Sequence, residues 1–105
     1  MRQTTEILQD IAQFQPVDGV WLPLDHLLNE LWLVGPSPSE SLPILFGVFE
    51  RFPKDDGAGV FWSILHGIEG LPYNYEPLLR DSYNRVPSEM AHVMLTRLAN
   101  SAKED

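Results

Sequence analysis

The sequence contains no cysteine and few basic residues. Its 105 residues include seven lysines and arginines together, against fifteen aspartates and glutamates. The absence of cysteine excludes a disulfide framework, a thiol nucleophile and thiolate ligands for a metal ion, and it is compatible with a reducing cytoplasm. No apolar run approaches the ~20 residues that cross a bilayer, and the first six residues lack the apolar core of a signal peptide. We therefore expect a cytoplasmic protein that does not bind membranes.

The net charge of −8 is concentrated in the first half of the chain. Residues 1–50 hold seven acids and one base, a charge of −6, whereas residues 51–105 hold eight acids and six bases, a charge of −2. A negative field repels nucleic acid and attracts basic partners. Without a basic stripe, direct nucleic-acid binding is not expected. A simple contribution to solubility is the other explanation of this charge, and composition leaves both open.

Apolar residues recur at helical spacing through most of the chain, and no alternating strand pattern is flanked by hairpin turns. The length fits a single helical domain over residues 1–100, followed by a frayed polar tail at 101–105. Short connections favour antiparallel neighbours. We therefore predict an all-α fold of about six short helices in antiparallel pairs, either HEAT-like or an irregular helical bundle. The predicted helices cover residues 4–14, 21–34, 37–52, 58–69, 75–84 and 87–100.

Several helix starts carry recognisable signals. Ser37 followed by Pro38 and Glu40 predicts a capping box. Pro43 falls inside the same helix, where it removes one backbone hydrogen bond, so we expect a bend or a late start. Two further pairs of residues are candidate caps for the first and fourth helices: Thr4 or Thr5, and Asp55 or Asp56.

No catalytic or metal-binding motif is present. His26, His66 and His92 fall on three different predicted helices, and none has the spacing of a shared metal site. The chain has no nucleophile elbow and no glycine-rich phosphate loop. We therefore predict a protein that is not an enzyme and needs no metal or cofactor. A small hydrolase that uses His66 with a distant carboxylate is retained as an alternative.

The most distinctive segment is the connector at residues 69–76, EGLPYNYE, which places Tyr73 and Tyr75 between two glutamates. Tyrosine combines a large rigid surface with a polar tip, so such a loop suits insertion into a basic groove. The alternative is that both tyrosines pack on the helix ends.

About half of the chain resembles a family of small helical bacterial immunity proteins that protect cells from polymorphic toxins, including those of contact-dependent growth inhibition. None of the segments that carry the resemblance is a catalytic motif, and residues 1–36 add nothing specific to it. The segments are FERFP at 49–53, DDG at 55–57, VFWSILHGIE at 60–69, YEPLL at 75–79, Ser82, RVPSE at 85–89 and MLTRLAN at 94–100.

The resemblance implies a cytoplasmic protein that binds the C-terminal domain of a toxin encoded beside it, and many such toxins are nucleases. An acidic inhibitor can imitate the phosphates that a basic nuclease site holds. The leading hypothesis is thus neutralisation of a toxin domain by occlusion of its active site; the alternative is an acidic helical adaptor or assembly module without a toxin partner. The expected contact residues are Trp62, His66, Glu69, Tyr73, Tyr75 and Glu76, with Asp25, Glu30, Asp55 and Asp56 as electrostatic support.

Overall fold

The computed structural model describes residues 3–35 and 37–103, and within this part of the chain six α-helices and one short 3₁₀ turn form the regular structure. The described residues contain no strand, only an isolated β-bridge between Val17 and Val20. The predicted all-α fold is therefore confirmed. The elements are α1 (Thr4–Gln13), α2 (Leu22–Val34), α3 (Pro38–Arg51), the 3₁₀ turn (Gly57–Gly59), α4 (Val60–Glu69), α5 (Glu76–Arg85) and α6 (Glu89–Lys103).

α3 lies at the centre of the fold, where it contacts α1, α4, α5 and α6. α2 packs on α1 and α4, and α5 packs on α3 and α6. A solenoid would restrict each helical pair to its neighbours along the chain, so this arrangement is an irregular bundle. Of the two pairs predicted from sequence, α5 and α6 pack closely together, whereas α4 packs chiefly on α2 and touches α3 less.

The apolar faces predicted from helical spacing form the core. An aromatic cluster occupies one end of it, where the Trp21 ring lies 5.1 Å from Phe52 and 5.3 Å from Phe61, both edge-on. Aliphatic side chains fill the space between the helices. The buried core residues that spacing predicted are Ile7, Leu8, Ile11, Leu24, Leu28, Leu31, Leu42, Leu45, Phe46, Phe49, Phe61, Ile64, Leu65, Ile68, Leu79, Met90 and Met94.

The predicted capping box of α3 does not form. Ser37 occupies the N-cap position, but its side chain makes no capping hydrogen bond. In a capping box the Ser37 hydroxyl would accept a hydrogen bond from the amide of Glu40. That amide donates instead to the backbone carbonyl of Ser37 at 3.0 Å. The Ser37 hydroxyl lies 2.9 Å from the hydroxyl of Ser39. Local side-chain contacts thus compete successfully with the cap.

Two other helix starts also differ from expectation. Gln3 is the N-cap residue of α1, and Thr4 and Thr5 lie inside the helix without serving as caps. Before α4, Asp55 Oδ1 accepts a hydrogen bond from the amide of Gly57 at 2.9 Å. Asp55 therefore stabilises the turn that leads into the helix, and Asp56 makes no side-chain cap.

α3 runs through Pro43 without a late start, from Pro38 to Arg51. Pro43 is exposed, so its ring occupies the solvent side of the helix. At the other end of the chain, α6 continues to Lys103, beyond the predicted end at residue 100. The remainder of the predicted tail, residues 104 and 105, lies outside the described residues.

Arg51, the last residue of α3, binds the carboxyl end of α1. Its two Nη groups donate hydrogen bonds to the carbonyl oxygens of Phe14 at 2.7 Å and Ile11 at 2.8 Å. These carbonyls lie at the negative end of the helix dipole, where a cation is favoured; the Ile11 carbonyl also accepts a hydrogen bond from the amide of Phe14 at 3.2 Å. Burial lowers the pKa of Arg51, but a guanidinium stays charged at any physiological pH. The contact fixes α1 against the central helix.

Candidate partner-binding surface

An ion pair joins α4 to α6 beside the tyrosine connector. Arg97 Nε donates to Glu69 Oε2 at 2.7 Å, and Arg97 Nη2 donates to Glu69 Oε1 at 2.8 Å. Tyr75 is half-buried, and its burial together with the negative charge of Glu69 raises the pKa of its hydroxyl. The Glu69 carboxylate is therefore engaged within the molecule, and a partner that approached it would also meet the charge of Arg97.

A second ion pair joins α3 to α5. The hydroxyl of Ser82, which is buried, donates to Glu50 Oε2 at 2.8 Å. Arg85 donates to the two oxygens of the same carboxylate at 3.2 and 3.1 Å. Burial tends to raise the pKa of Glu50, but the hydrogen bonds from Arg85 and Ser82 outweigh this and leave it lowered. Glu50 is thus an ionised structural acid whose charge Arg85 balances.

The other described arginines are also occupied. Arg80 donates to Glu76 Oε2 at 2.9 Å, one turn away on α5, and Arg51 is bound to the end of α1. Glu76, predicted to contact a partner, therefore forms an ion pair within the molecule. All four arginines of the described residues serve contacts within the molecule.

Most of the acids that form no ion pair with the described residues lie on α1, in the turn before α2, on α2, at the start of α3 and in the loop after it; Asp81 on α5 and Glu89 on α6 are two further such acids. All of these acids are exposed except Asp25, which is half-buried. Their combined field favours a partner of positive charge. The acids of these segments that form no ion pair with the described residues are Glu6, Asp18, Asp25, Glu40, Asp55 and Asp56. Glu30, the remaining predicted electrostatic residue, is half-buried on α2.

Trp62 and His66 lie one turn apart on the solvent side of α4, with ring centroids separated by 6.2 Å. His66 lines an open groove of about 470 Å³ together with Trp32, Leu71 and other residues. None of the described residues that line this groove carries a carboxylate. A hydrolase built on His66 would need an acid or base partner beside the imidazole, and the groove does not supply one.

The expected contact residues do not form one patch. Glu69 and Tyr75 line a different cavity, of about 430 Å³, together with Arg97 on the α6 side of α4. Trp62 and His66 lie toward the α2 side. The aromatic and acidic residues of the predicted site are therefore divided between two sides of one helix.

The two tyrosines of the connector behave differently. Tyr73 is exposed at the tip of a tight turn, where its amide donates to the carbonyl of Leu71 at 2.8 Å. Tyr75 packs against the core at the start of α5. Of the two alternatives left open by the sequence, a free interface anchor fits Tyr73 and packing on a helix end fits Tyr75.

Comparisons with known proteins give no match. No protein-family model, curated protein or solved structure is significantly similar to this chain. Among the described helices none has the length and apolar content needed to cross a bilayer. The described residues also contain no group of three or more histidines, aspartates or glutamates placed to hold a metal ion.

The sequence interpretation missed the outer side of α2. Leu22 and Leu33 are 58% and 80% exposed, and the turn before α2 exposes Val17 and Val20. The signal was present, because Leu22 and Leu33 are eleven residues apart, about three helical turns, and so share a face. The sequence interpretation considered only the buried stripe around Leu28, on the opposite side of the helix.

Proposed function

We propose that the protein is a bacterial immunity protein that binds a cognate toxin domain, a nuclease with a basic active site, and covers that site with an acidic surface. The observation that carries this proposal is the distribution of ion pairs. The described arginines are used within the molecule, while several exposed acids form no ion pair with the described residues: Glu6, Asp18, Glu40, Asp55 and Asp56. In this proposal the protein acts in the cytoplasm, without a cofactor, and contacts neither nucleic acid nor membrane.

The proposed inhibition needs no chemistry from the inhibitor. A nuclease holds a polyanion with basic side chains, so its active site carries a positive field. Carboxylates presented on a rigid helical surface match that field, accelerate the encounter and exclude the substrate from the same site. The charge acts mainly on the rate of association and on specificity, and apolar contacts at the centre of the interface supply most of the affinity.

The expected contact residues contribute unequally to this mechanism. Exposed Trp62 and Tyr73 are available as aromatic anchors. Asp55 and Asp56 are exposed and supply charge. Glu69 supplies less net charge, because Arg97 neutralises it. The electrostatic part of the proposed interface therefore comes mainly from the N-terminal half and the loop after α3.

The adaptor alternative draws support from the exposed leucines of α2, because an apolar surface on a small protein indicates a protein partner of some kind without requiring that the partner be a toxin. The neighbouring gene distinguishes the two functions. A toxin gene beside this one is expected for an immunity protein and is not expected for an adaptor.

Co-expression with the product of the neighbouring gene tests the proposal. We expect a stoichiometric complex that survives purification and cells that grow normally, whereas the same product expressed alone should arrest growth. If the two proteins neither co-purify nor differ in their effect on growth, the proposed function is wrong.

A further inference from the structure

α2 has two apolar sides, and only one of them is covered. Among the described helices it packs on α1 and α4 alone, which cover Leu24, Leu28 and Leu31. The opposite side, at successive turns, carries Leu22, His26, Asn29 and Leu33, all of them exposed. Both leucines at the ends of this row keep more than half of their surface in water. An outer helix of a bundle ordinarily places polar residues on its solvent side.

The apolar row continues into the turn before α2. Asp18 and Gly19 have φ values of 53° and 74°, and the amide of Val20 donates to the carbonyl of Val17 at 3.0 Å. Positive φ at both central residues is the type I′ geometry, which holds a tight hairpin turn in one conformation. Val17 and Val20 are exposed on either side of it. The exposed residues Val17, Val20, Leu22, His26, Asn29 and Leu33 are named here the α2 outer face.

Two acidic residues lie beside the residues of this surface. Asp18 lies at the tip of the turn, and Asp25 lies in the first turn of α2 beside Leu22. Neither forms an ion pair with the described residues, and the sequence has no lysine or arginine between residues 3 and 50. The surface therefore combines four exposed aliphatic side chains, with His26 and Asn29 between the two leucines of α2, and two nearby acids.

This combination selects between possible occupants. A second copy of the chain docked through a two-fold axis would place the same patch against itself, so its acids would meet acids in a low-dielectric contact. A protein surface that carries both apolar side chains and arginine or lysine is complementary in both respects.

We propose that the α2 outer face is the docking surface for the toxin domain, and that the surface docked there presents apolar side chains to Leu22 and Leu33 and basic side chains to Asp18 and Asp25. This inference rests on the proposed function and deepens it, because it assigns the interface to α2 and the turn before it. In this arrangement Leu22 and Leu33 are the apolar anchors, and Asp18 and Asp25 guide the approach. The groove beside His66 is then peripheral to the interface.

Affinity measurements with the purified product of the neighbouring gene test this assignment. The variant Leu22→Ser/Leu33→Ser removes both anchors at exposed positions, and the matched variant Trp62→Ser/Tyr73→Ser removes two exposed aromatic anchors from the other candidate surface. Circular dichroism and thermal melting check that each variant remains folded. We expect the leucine variant to raise Kd by about 30-fold or more, and the aromatic variant, which removes contacts at the periphery of the interface, to raise it by no more than about tenfold.

A second measurement tests the charges alone. Asn tolerates the left-handed backbone at position 18, so Asp18→Asn/Asp25→Asn removes two charges with little change of shape. We expect this variant to bind several-fold more slowly than the parent protein in dilute salt, with the difference shrinking as salt is added. This readout stays informative even if the leucine variant folds poorly.

The outcomes separate the two levels of the proposal. A complex weakened by the aromatic variant and not by the leucine variant overturns the assignment to α2 and leaves the immunity function standing. Failure of the unmodified protein to bind or protect overturns the immunity function, and the assignment falls with it. A dimer of the protein alone that Leu22→Ser/Leu33→Ser disrupts would show that a second copy covers this surface, which also contradicts the assignment.

Discussion

Two glycines inside helices have opposite surroundings. A Cβ added to Gly67 on α4 would lie 2.6 Å from Cη2 of Trp32, whereas a Cβ added to Gly47 on α3 would have no atom within 4 Å. Gly67 therefore permits the close approach of α2 and α4, and Gly47 has no such role.

The matched substitutions should change stability in opposite directions. Gly47→Ala should raise the free energy of unfolding by about 0.5–1 kcal/mol, because alanine restricts the unfolded chain and favours the helix. Gly67→Ala gains the same term but displaces the Trp32 indole, so we expect a net loss of about 1–3 kcal/mol. Urea unfolding followed by circular dichroism measures both, and equal effects of the two substitutions would contradict the packing described for Trp32.

The partly buried hydrogen bond that Glu50 accepts from Ser82 predicts a dependence of stability on pH. Its pKa is lowered in the folded protein from an ordinary value of 4.5, so the ionised carboxylate stabilises the fold above that pH. This stabilisation is lost as the pH falls through the folded-state pKa. Glu50→Gln should therefore be less stable than the parent at neutral pH, and the difference should shrink in acid.

A matched control for Glu50 is Asp56→Asn, since Asp56 is exposed and makes no side-chain cap. It should alter the free energy of unfolding by less than about 0.5 kcal/mol at neutral pH. Urea titrations across the acid range compare the two. A Glu50→Gln protein whose stability follows that of the parent at every pH would show that the contacts with Ser82 and Arg85 contribute nothing.

At the residue scale, burial was predictable and pairing was not. Helical spacing identified the core side chains because a helix turns its apolar residues to one side. The two ion pairs between helices, Arg97 with Glu69 and Arg85 with Glu50, join residues 28 and 35 positions apart in sequence. Such partners are set by the packing of α4 on α6 and of α3 on α5, which spacing within one helix does not specify.

α1 depends on α3 at the scale of whole elements. Arg51 supplies both hydrogen bonds to the carboxyl end of α1, and α1 has no basic residue of its own in its last turn. Arg51→Met keeps the apolar part of the side chain and removes the donors. We expect it to lower the free energy of unfolding by about 1–2 kcal/mol and to accelerate amide exchange in α1 more than in the other helices.

Arg80→Met is the control for this prediction, because its ion pair with Glu76 is exposed and lies within one helix. Its loss should cost less than about 0.5 kcal/mol. If both arginine variants have the same stability and the same exchange in α1, the Arg51 contact does not anchor α1.

Helix boundaries show where sequence signals are strong. Gly35, with a φ of 63°, ends α2 as expected for a left-handed C-cap, and Ser88 caps α6 by accepting a hydrogen bond from the amide of Ala91 at 3.1 Å. The capping box at Ser37 fitted its sequence pattern equally well but did not form, because the backbone carbonyl of Ser37 accepts the amide instead. Which of two competing local hydrogen bonds forms depends on backbone geometry that the pattern does not contain.

At the scale of the whole molecule, the acidic and aromatic halves of the sequence do not become two matching halves of one surface. Tyr75 packs on the core, and Glu69 is neutralised by Arg97. Acids and exposed aliphatic residues occur together at the turn before α2 and on α2 itself, while other exposed acids lie on α1, at the start of α3 and at residues 55–56. The composition gives the net charge. Which acids remain unpaired depends on which ones the arginines contact in the folded protein.

In the proposed function, an acidic surface on this protein blocks a basic, nucleic-acid-cleaving active site. The most direct measurement is titration of the protein into the purified product of the neighbouring gene while cleavage of a nucleic-acid substrate is followed. We predict that cleavage falls in proportion to added protein and ends at one equivalent, and that a large excess of substrate slows the onset of inhibition. The proposed function would be contradicted if the product of the neighbouring gene cleaves no nucleic acid, or if its rate of cleavage is unchanged by an equimolar amount of this protein.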